Sequence, residues 1–371
     1  MENAVGGIAG SAYASLVRIS PLDPATASDE AVAALHEVTV AASAVDRPGH
    51  PALAVEDVAA DMQAPLSRRR RLRYVAEQDG HIIGLLVIRL PDLDNLHLGL
   101  LDLVVHPDAR RQGIGTALLR TGLSVLTGKG RRIVVGDTEE SGAGAAFCAA
   151  HGLTPVKTDQ LSLLRMAEVD WPDVDALAAA DHPGYRLVGW RGACPDGLLE
   201  AFARSKYAMN DAPIGEMDVA GRVWSTGFVR DWERECRALN REQRVLAAVD
   251  EADGAVAGFT EVELWGWTPA RSEQADTAVV AAHRGRGLGL WLKAAMLRQL
   301  RDERPDVTGL LTGNAAGNSP MLRINERLGY RPYVRLVEWQ ADVRQLADRI
   351  GLTDRAVPGQ PPQNPTTDRG A

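Results

Sequence analysis

Two glycine-rich segments of this chain present the kind of backbone that an anion needs. The first reads Val104-Val105-His106-Pro107-Asp108-Ala109-Arg110-Arg111-Gln112-Gly113-Ile114-Gly115, and the second Val279-Val280-Ala281-Ala282-His283-Arg284-Gly285-Arg286-Gly287-Leu288-Gly289. Equivalent glycines lie 174 positions apart (287 − 113 = 174). Each segment is an apolar strand-like run, then R-x-x-G-x-G, then apolar residues at helical spacing. These are Ile114, Ala117, Leu118 and Val125 after the first loop, and Leu288, Trp291, Leu292, Ala295 and Met296 after the second. That spacing makes one buried helical face. At a helix N-terminus the amides have no partner within the helix. Glycine lets a ligand approach them, and the helix dipole favours negative charge there.

Three phosphate-binding patterns can be compared. A Walker loop needs G-x-x-x-x-G-K-[ST], and neither segment ends in Lys-Ser/Thr. A dinucleotide fingerprint needs G-x-G-x-x-G. The segments run Gly113-Ile114-Gly115-Thr116-Ala117-Leu118 and Gly287-Leu288-Gly289-Leu290-Trp291-Leu292, so the third glycine is missing from both. Both segments resemble the third pattern, the [QR]-x-x-G-x-[GA] acetyl-CoA loop of the GNAT N-acetyltransferase superfamily. The elements that follow agree. After each helix comes a β-branched run, Arg132–Val135 and Val307–Thr312, and then a helix closed by glycine and a hydrophobe. In the second half Asn318, Met321, Asn325, Gly329 and Tyr330 fall on the superfamily's N-x-x-A-x-x-x-Y-x-x-x-G-F motif. The motif tyrosine, often the general acid, is Cys148 in the first copy and Asn325 in the second. The motif asparagine is Ser141 and Asn318. Neither half therefore carries the tyrosine acid.

The resemblance covers most of residues 12–343 and implies an α+β fold of two tandem GNAT domains. Each would be a mixed, mostly antiparallel sheet splayed at the strand before its glycine loop and flanked by helices. Mycothiol synthase has that tandem layout, and the second half also looks like a group of actinobacterial tandem acetyltransferases. Acetyl-CoA would be the co-substrate, with no metal. In the first half the resemblance places it on Leu103, Val104, Val105, Arg110, Arg111, Gln112, Gly113, Ile114, Gly115 and Thr116. In the second it is placed on Val279, Val280, Ala281, Arg284, Gly285, Arg286, Gly287, Leu288, Gly289, Leu290, Asn314 and Asn318.

Acetyl transfer to an amine also needs a base and a proton donor to the thiolate. Glu261 and Glu263 are alternate residues of one strand and share a face. With Asp276 they are the base candidates of the second half, and Asp102 is the counterpart in the first. Tyr207 and Tyr330 are hydroxyl donors by type, Tyr330 being the expected packing aromatic of the motif. Seven of the eight tryptophans follow residue 184. Trp265 and Trp267 fall in the hairpin that borders the acceptor site in this superfamily.

Two function classes follow. One is an acyl-CoA-dependent N-acyltransferase, most simply an N-acetyltransferase acting on a small amine with the C-terminal domain catalytic. The other is a non-enzymatic acyl-CoA-binding or scaffold protein. A mycothiol synthase is a narrower alternative, and Asn325 argues against it. The partner expected is a small-molecule amine, with the protein a monomer or homodimer.

Along the chain, helices are expected at about 26–43 and 55–64, with hairpins around Asp79-Gly80 and Asp253-Gly254. The domain boundaries read as 12–166 and 184–345, with a linker at 167–183 and a disordered tail at 346–371. The 371 residues suffice for two cores. No apolar run approaches the roughly 18 residues of a membrane span. The N-terminus lacks a signal-peptide pattern, and Cys148, Cys194 and Cys236 form no metal or disulfide spacing. A cytoplasmic protein is expected. The net charge of −8 argues against a nucleic-acid partner. The run Arg68-Arg69-Arg70-Arg71-Leu72-Arg73 reads as a solvated loop entering a strand, since one short run makes no groove.

Overall fold

A computed structural model describes residues 16–64 and 69–352. The expectation for the tail beyond 352 lies outside them. The first half opens with β1 (Arg18–Leu22), α1 (Asp29–Asp46), α2 (Val55–Gln63), β2 (Arg69–Gln78), β3 (His81–Pro91) and β4 (Leu98–Val105). It continues through α3 (Ile114–Gly128), β5 (Ile133–Glu139), α4 (Ala143–His151) and β6 (Thr154–Arg165). After α5 (Trp171–Ala178) the order restarts. It runs β7 (Tyr185–Arg191), α6 (Asp196–Ser205), α7 (Thr226–Ala238), β8 (Arg241–Asp250), β9 (Val256–Trp265) and β10 (Glu273–Val279). It ends with α8 (Leu288–Glu303), β11 (Gly309–Ala315), α9 (Ser319–Arg327), β12 (Arg331–Asp342) and α10 (Val343–Arg349).

Local chemistry sets several boundaries. Ser28 caps α1, its hydroxyl accepting from the Ala31 amide at 3.3 Å. The β2–β3 turn places Asp79 and Gly80 at φ 50° and 81°, the left-handed pair that a two-residue hairpin turn requires. The strand β9 is buried along its whole length. Leu292 and Met296 of α8 belong to the core on one side, and Phe202 of α6 and Val229 of α7 to that on the other. A strand covered on both faces reads as a continuous apolar run, and any carboxylate in it is forced into the interior.

The twelve strands of the described residues form one sheet, in the order β1-β2-β3-β4-β5-β12-β6-β11-β10-β9-β8-β7. The last strands of the two halves are exchanged. β12 lies between β5 and β6, with Glu338 opposite Asp137 on one side and Lys157 on the other. β6 in turn pairs with β11 from Gly309↔Arg165 to Ala315↔Asp159. Each half thus completes the other's sheet. In both halves the strand before the glycine loop splays from its parallel neighbour. β4 pairs with β5 only over Leu98–Leu100, and β10 pairs with β11 only at Glu273↔Leu311.

The structure corrects four expectations. Residues 167–183 are not a loose linker, because they include α5, whose Val174 and Ala178 are buried against α8. There Trp291 Nε1 donates to the Ala178 carbonyl at 3.3 Å, and Arg301 pairs with Asp175 at 2.9 Å. The stretch 346–352, expected in the tail, carries the end of α10, with Leu346 and Ala347 buried. The arginine run is strand β2 from Arg69 onward rather than a solvated loop. Arg71 and Arg73 hold the Asp61 carboxylate at 2.7 and 3.0 Å. Finally, Ala281 lies beyond β10 in a short 3-10 turn, Ala281–His283.

The exchange makes a testable demand. A fragment of residues 16–166 lacks β11 and β12, so β5 loses one neighbour and β6 loses both. We expect this fragment to show no cooperative melting transition and to aggregate. A sharp two-state melt would show that the first half does not need its exchanged strand.

Candidate functional site

The two glycine loops adopt one conformation. Gly113 and Gly287 sit at φ 83° and 78°, immediately before α3 and α8. Two residues earlier, Arg111 and Gly285 are also left-handed, at 66° and 77°. No side-chain cap bond closes either helix start, and in α8 the Leu290 amide turns back onto the Gly287 carbonyl at 3.1 Å. The segments Arg111–Gly113 and Arg284–Gly287 are exposed. The second glycine of each loop answers to packing. A Cβ on Gly115 would lie 3.1 Å from Phe147 of α4, and one on Gly289 3.3 Å from Ile324 of α9. The motif arginines fold the loops back onto their strands. Arg110 Nε donates to the Val105 carbonyl at 3.2 Å and grips Asp46 at 2.8 and 2.7 Å. Arg284 Nε donates to the Val279 carbonyl at 2.9 Å and pairs with Asp211. Arg286 Nη1 donates to the Tyr185 hydroxyl at 2.7 Å, and that hydroxyl lies 2.9 Å from His283 Nδ1.

The second half holds a cavity of about 280 Å³ beside β10. Glu261 and Glu263 of β9, Glu273, Ala275 and Asp276 of β10, and Arg241 and Gln243 of β8 form its polar side. Phe202, Trp224, Phe228, Val229 and Trp232 form its apolar side. Between Gln274 and Thr277 the β9–β10 register slips, as at a β-bulge, and a bulge re-aims the side chains it carries. Asp276 of this stretch reaches Lys206, whose Nζ donates to its carboxylate at 2.6 Å and to both Glu261 oxygens at 2.9 Å. Lys206 is buried, with its ammonium over the Trp224 and Phe259 rings at 4.7 and 4.9 Å.

Burial decides the electrostatics. It pushes Glu261 up to about 7 against the pull of Lys206, and Asp276 adds to the rise. Burial likewise pushes Glu263 up to about 7, opposed by Arg241 at 3.3 Å. Burial alone would discharge Lys206, but Asp276 and Glu261 outweigh it and hold the ammonium charged. The site therefore contains a carboxylate tuned to neutral pH, a fixed cation beside it and an aromatic wall. That set can take a proton from a bound ammonium.

All three carboxylate candidates, Glu261, Glu263 and Asp276, line this cavity. Tyr207 does not, being 45% exposed on the short segment Lys206–Asp211. Its neighbour Lys206 is the residue that turns inward. Trp265 packs against Arg241, and Trp267 is exposed, so neither lines the cavity. The tryptophans that do are Trp224 and Trp232. Asn318 caps α9, accepting from the Met321 amide at 3.4 Å, and Asn314 accepts from Asn325 at 2.6 Å. Lys206, Arg222 and Trp224 were missed because the long segment before α7 has no periodicity from which to orient them, and Trp232 lies within α7 itself. In the first half the 174-residue offset puts Val87 where β9 has Glu261, and Arg89 where it has Glu263. Asp102 matches Asp276 and is bound by Arg89. The first half keeps the loop and has no counterpart of Glu261 on β3, though burial raises Asp102 and pushes Glu338 of the exchanged β12 up to about 7.

Among the described residues, no group of His, Cys, Asp and Glu is placed to hold a metal, and no helix is long and apolar enough to cross a membrane. The model of the Acetyltransferase (GNAT) family matches residues 17–152 and 210–330, once in each half. The mycothiol acetyltransferase of Tsukamurella paurometabola is 30% identical over 294 residues, covering 78% of this chain and 94% of that protein. The mycothiol acetyltransferase of Mycobacterium sp. (strain MCS) is 29% identical over 271 residues, 72% of this chain and 82% of the relative. A solved tandem GNAT protein from the clavulanic acid biosynthesis pathway superposes with a TM-score of 0.76 at 27% identity, over 88% of this chain and 99% of that one. Duplicated loops, splayed strands and matches in both halves agree: the chain belongs to the GNAT acetyltransferase family, as a tandem member.

Proposed function

We propose that the second half transfers an acetyl group from acetyl-CoA to the amine of a small molecule. The observation that carries this reading is the Lys206–Glu261–Asp276 cluster, which lines a cavity on the strand leading into the second glycine loop. The pyrophosphate of the co-substrate fits the start of α8, where no side chain caps the helix, and its pantetheine arm fits the gap between β10 and β11. The acceptor enters the cavity as an ammonium ion between the carboxylates and the aromatic wall. Glu261 removes one proton, and the freed lone pair attacks the thioester carbonyl. A carbon–nitrogen bond forms, the carbon–sulfur bond breaks, and CoA leaves as a thiolate that takes up the second proton the nitrogen must lose to become the amide. Lys206 is a positioning residue here, fixing both Glu261 oxygens and keeping the carboxylate ionisable in a buried site. Asn318 contributes through the cap of α9, and Asn314 through the wall of the gap. The first half, without a counterpart of the Lys206–Glu261 pair, serves as scaffold and as a second CoA-binding loop.

The acceptor in the relatives' name, a mycothiol-type amine, is the second reading. It is favoured by the near-complete coverage of the Tsukamurella relative. Free-thiol release from acetyl-CoA, measured across pools of small amines that include amino sugars and cysteine-bearing amines, separates the two. We expect kcat/KM to rise with pH along a limb near 7, because Glu261 must be ionised to act and burial has raised it to about that value. A rate independent of pH between about 5 and 9 would remove Glu261 from the role, since no group of the raised kind would then be titrating.

A further inference from the structure

Lys293 of α8 is fully buried, and the hydrogen bond it makes is to Asn325 Oδ1 of α9, at 2.6 Å. Burial, with no compensating carboxylate, pulls its amine down to about 7. Asn325 is itself buried and passes a hydrogen bond onward, Nδ2 donating to Asn314 Oδ1 of β11 at 2.6 Å. Asn314 is only partly buried. It lies three residues beyond Leu311, the last β11 residue that pairs with β10, and so on the stretch that walls the gap. The three side chains form a one-way series of donors, from an amine in the interior to an amide at the gap. The first half has nothing comparable. The 174-residue offset puts Leu119 at the lysine position, and Cys148 stands at that of Asn325. A leucine fills that place in the fold, so packing does not require a lysine. Burying an amine costs free energy unless it is satisfied.

We propose that Lys293 is a positioning residue for the departing sulfur. By occupying Asn325 Oδ1 it fixes the direction of both amides, leaving the Asn314 amide hydrogens as donors in the gap. There they stabilise the CoA thiolate as the carbon–sulfur bond breaks. Hydrogen bonds in series polarise one another, so the buried amine strengthens the terminal donor. The proposal rests on the reading that CoA occupies the second loop.

The test needs no acceptor. In a Gly113→Asp background, which closes the first loop, CoA is bound to excess protein. Ionisation of its thiol is then followed by the pH dependence of its reaction with a disulfide reagent. All three protein cysteines are buried, which keeps the background low. We expect the bound thiol to ionise about one pH unit below free CoA. In the double variant Lys293→Met/Asn325→Leu that shift should vanish while calorimetric CoA affinity stays within about twofold, a unit being about tenfold in the ionisation constant. Lys293→Met alone should lose most of the shift, because the two residues act as a unit. An unchanged ionisation in the double variant overturns the proposal, as does loss of CoA affinity in parallel with the shift. If the Gly113→Asp protein with an intact series binds no CoA, the second-loop reading fails instead.

Discussion

Glu261→Gln should lower kcat about 10²–10⁴-fold, the usual consequence of removing a general base. The substitution keeps the shape of the side chain and an oxygen that can accept from Lys206. Lys206 also keeps its 2.6 Å contact with Asp276, so the buried ammonium is not abandoned. The loss should therefore appear in kcat, with acetyl-CoA affinity close to wild type. Glu263→Gln is the internal comparison. Its carboxylate is equally raised, but its bond is to Arg241 and not to the Lys206 cluster. We expect less than about a tenfold effect there, as for a group that shapes the cavity without moving the proton. Steady-state kinetics on the best amine from the thiol-release survey would decide the matter. Wild-type kcat in Glu261→Gln would sink the assignment, and a larger loss in Glu263→Gln would transfer it.

The second large effect comes from the loops. Gly287→Asp places a carboxylate where the phosphates would sit, at the left-handed residue before α8. Aspartate tolerates that backbone better than most side chains, so the fold should survive. Like charges brought together at an interface cost several kcal/mol. CoA affinity at this loop should fall at least about 10²-fold, and turnover should follow it. Gly113→Asp makes the same change in open space, since nothing lies within 4 Å of its added Cβ. It should remove whatever CoA the first loop holds and leave most of the turnover. Calorimetric stoichiometry and kinetics on both variants give four numbers. The reverse pattern, an inactive Gly113→Asp and an active Gly287→Asp, would move catalysis to the first half.

The parts of this molecule legible in its sequence are those where the backbone must do something unusual. Gly113 and Gly287 announce themselves because a left-handed residue before a helix demands glycine, and the loops appear where the motif put them. Glu261 and Glu263 were readable as a pair because a strand alternates faces. Tyr207 and Lys206 show where that reasoning stops. They are neighbours on a short 3-10 segment with no long periodic pattern, and only the packing of Phe202, Trp224 and Phe259 settles which one turns inward. The Lys293–Asn325–Asn314 series was equally hidden. Its members come from three elements, and a lysine on a helix reads as a solvated face. The exchange of β6 and β12 was invisible for a different reason. Each strand has the right pattern to sit in either half, and the choice lies in pairing across about two hundred residues.

That distance bears on how the chain comes into being. Glu338 and its partner Asp137 are 201 positions apart (338 − 137 = 201), and the rest of β12 is similarly remote from β5. During synthesis, β5 leaves the ribosome long before the strand that belongs beside it. The first half cannot finish its sheet as a unit, so completion waits until β12 has been made. Pairing of such long range is slow, and unpaired edges are exposed to aggregation while it is pending. A duplicated ancestor could have folded one copy at a time. In the exchanged form neither half closes its sheet alone, the first needing β12 and the second β6.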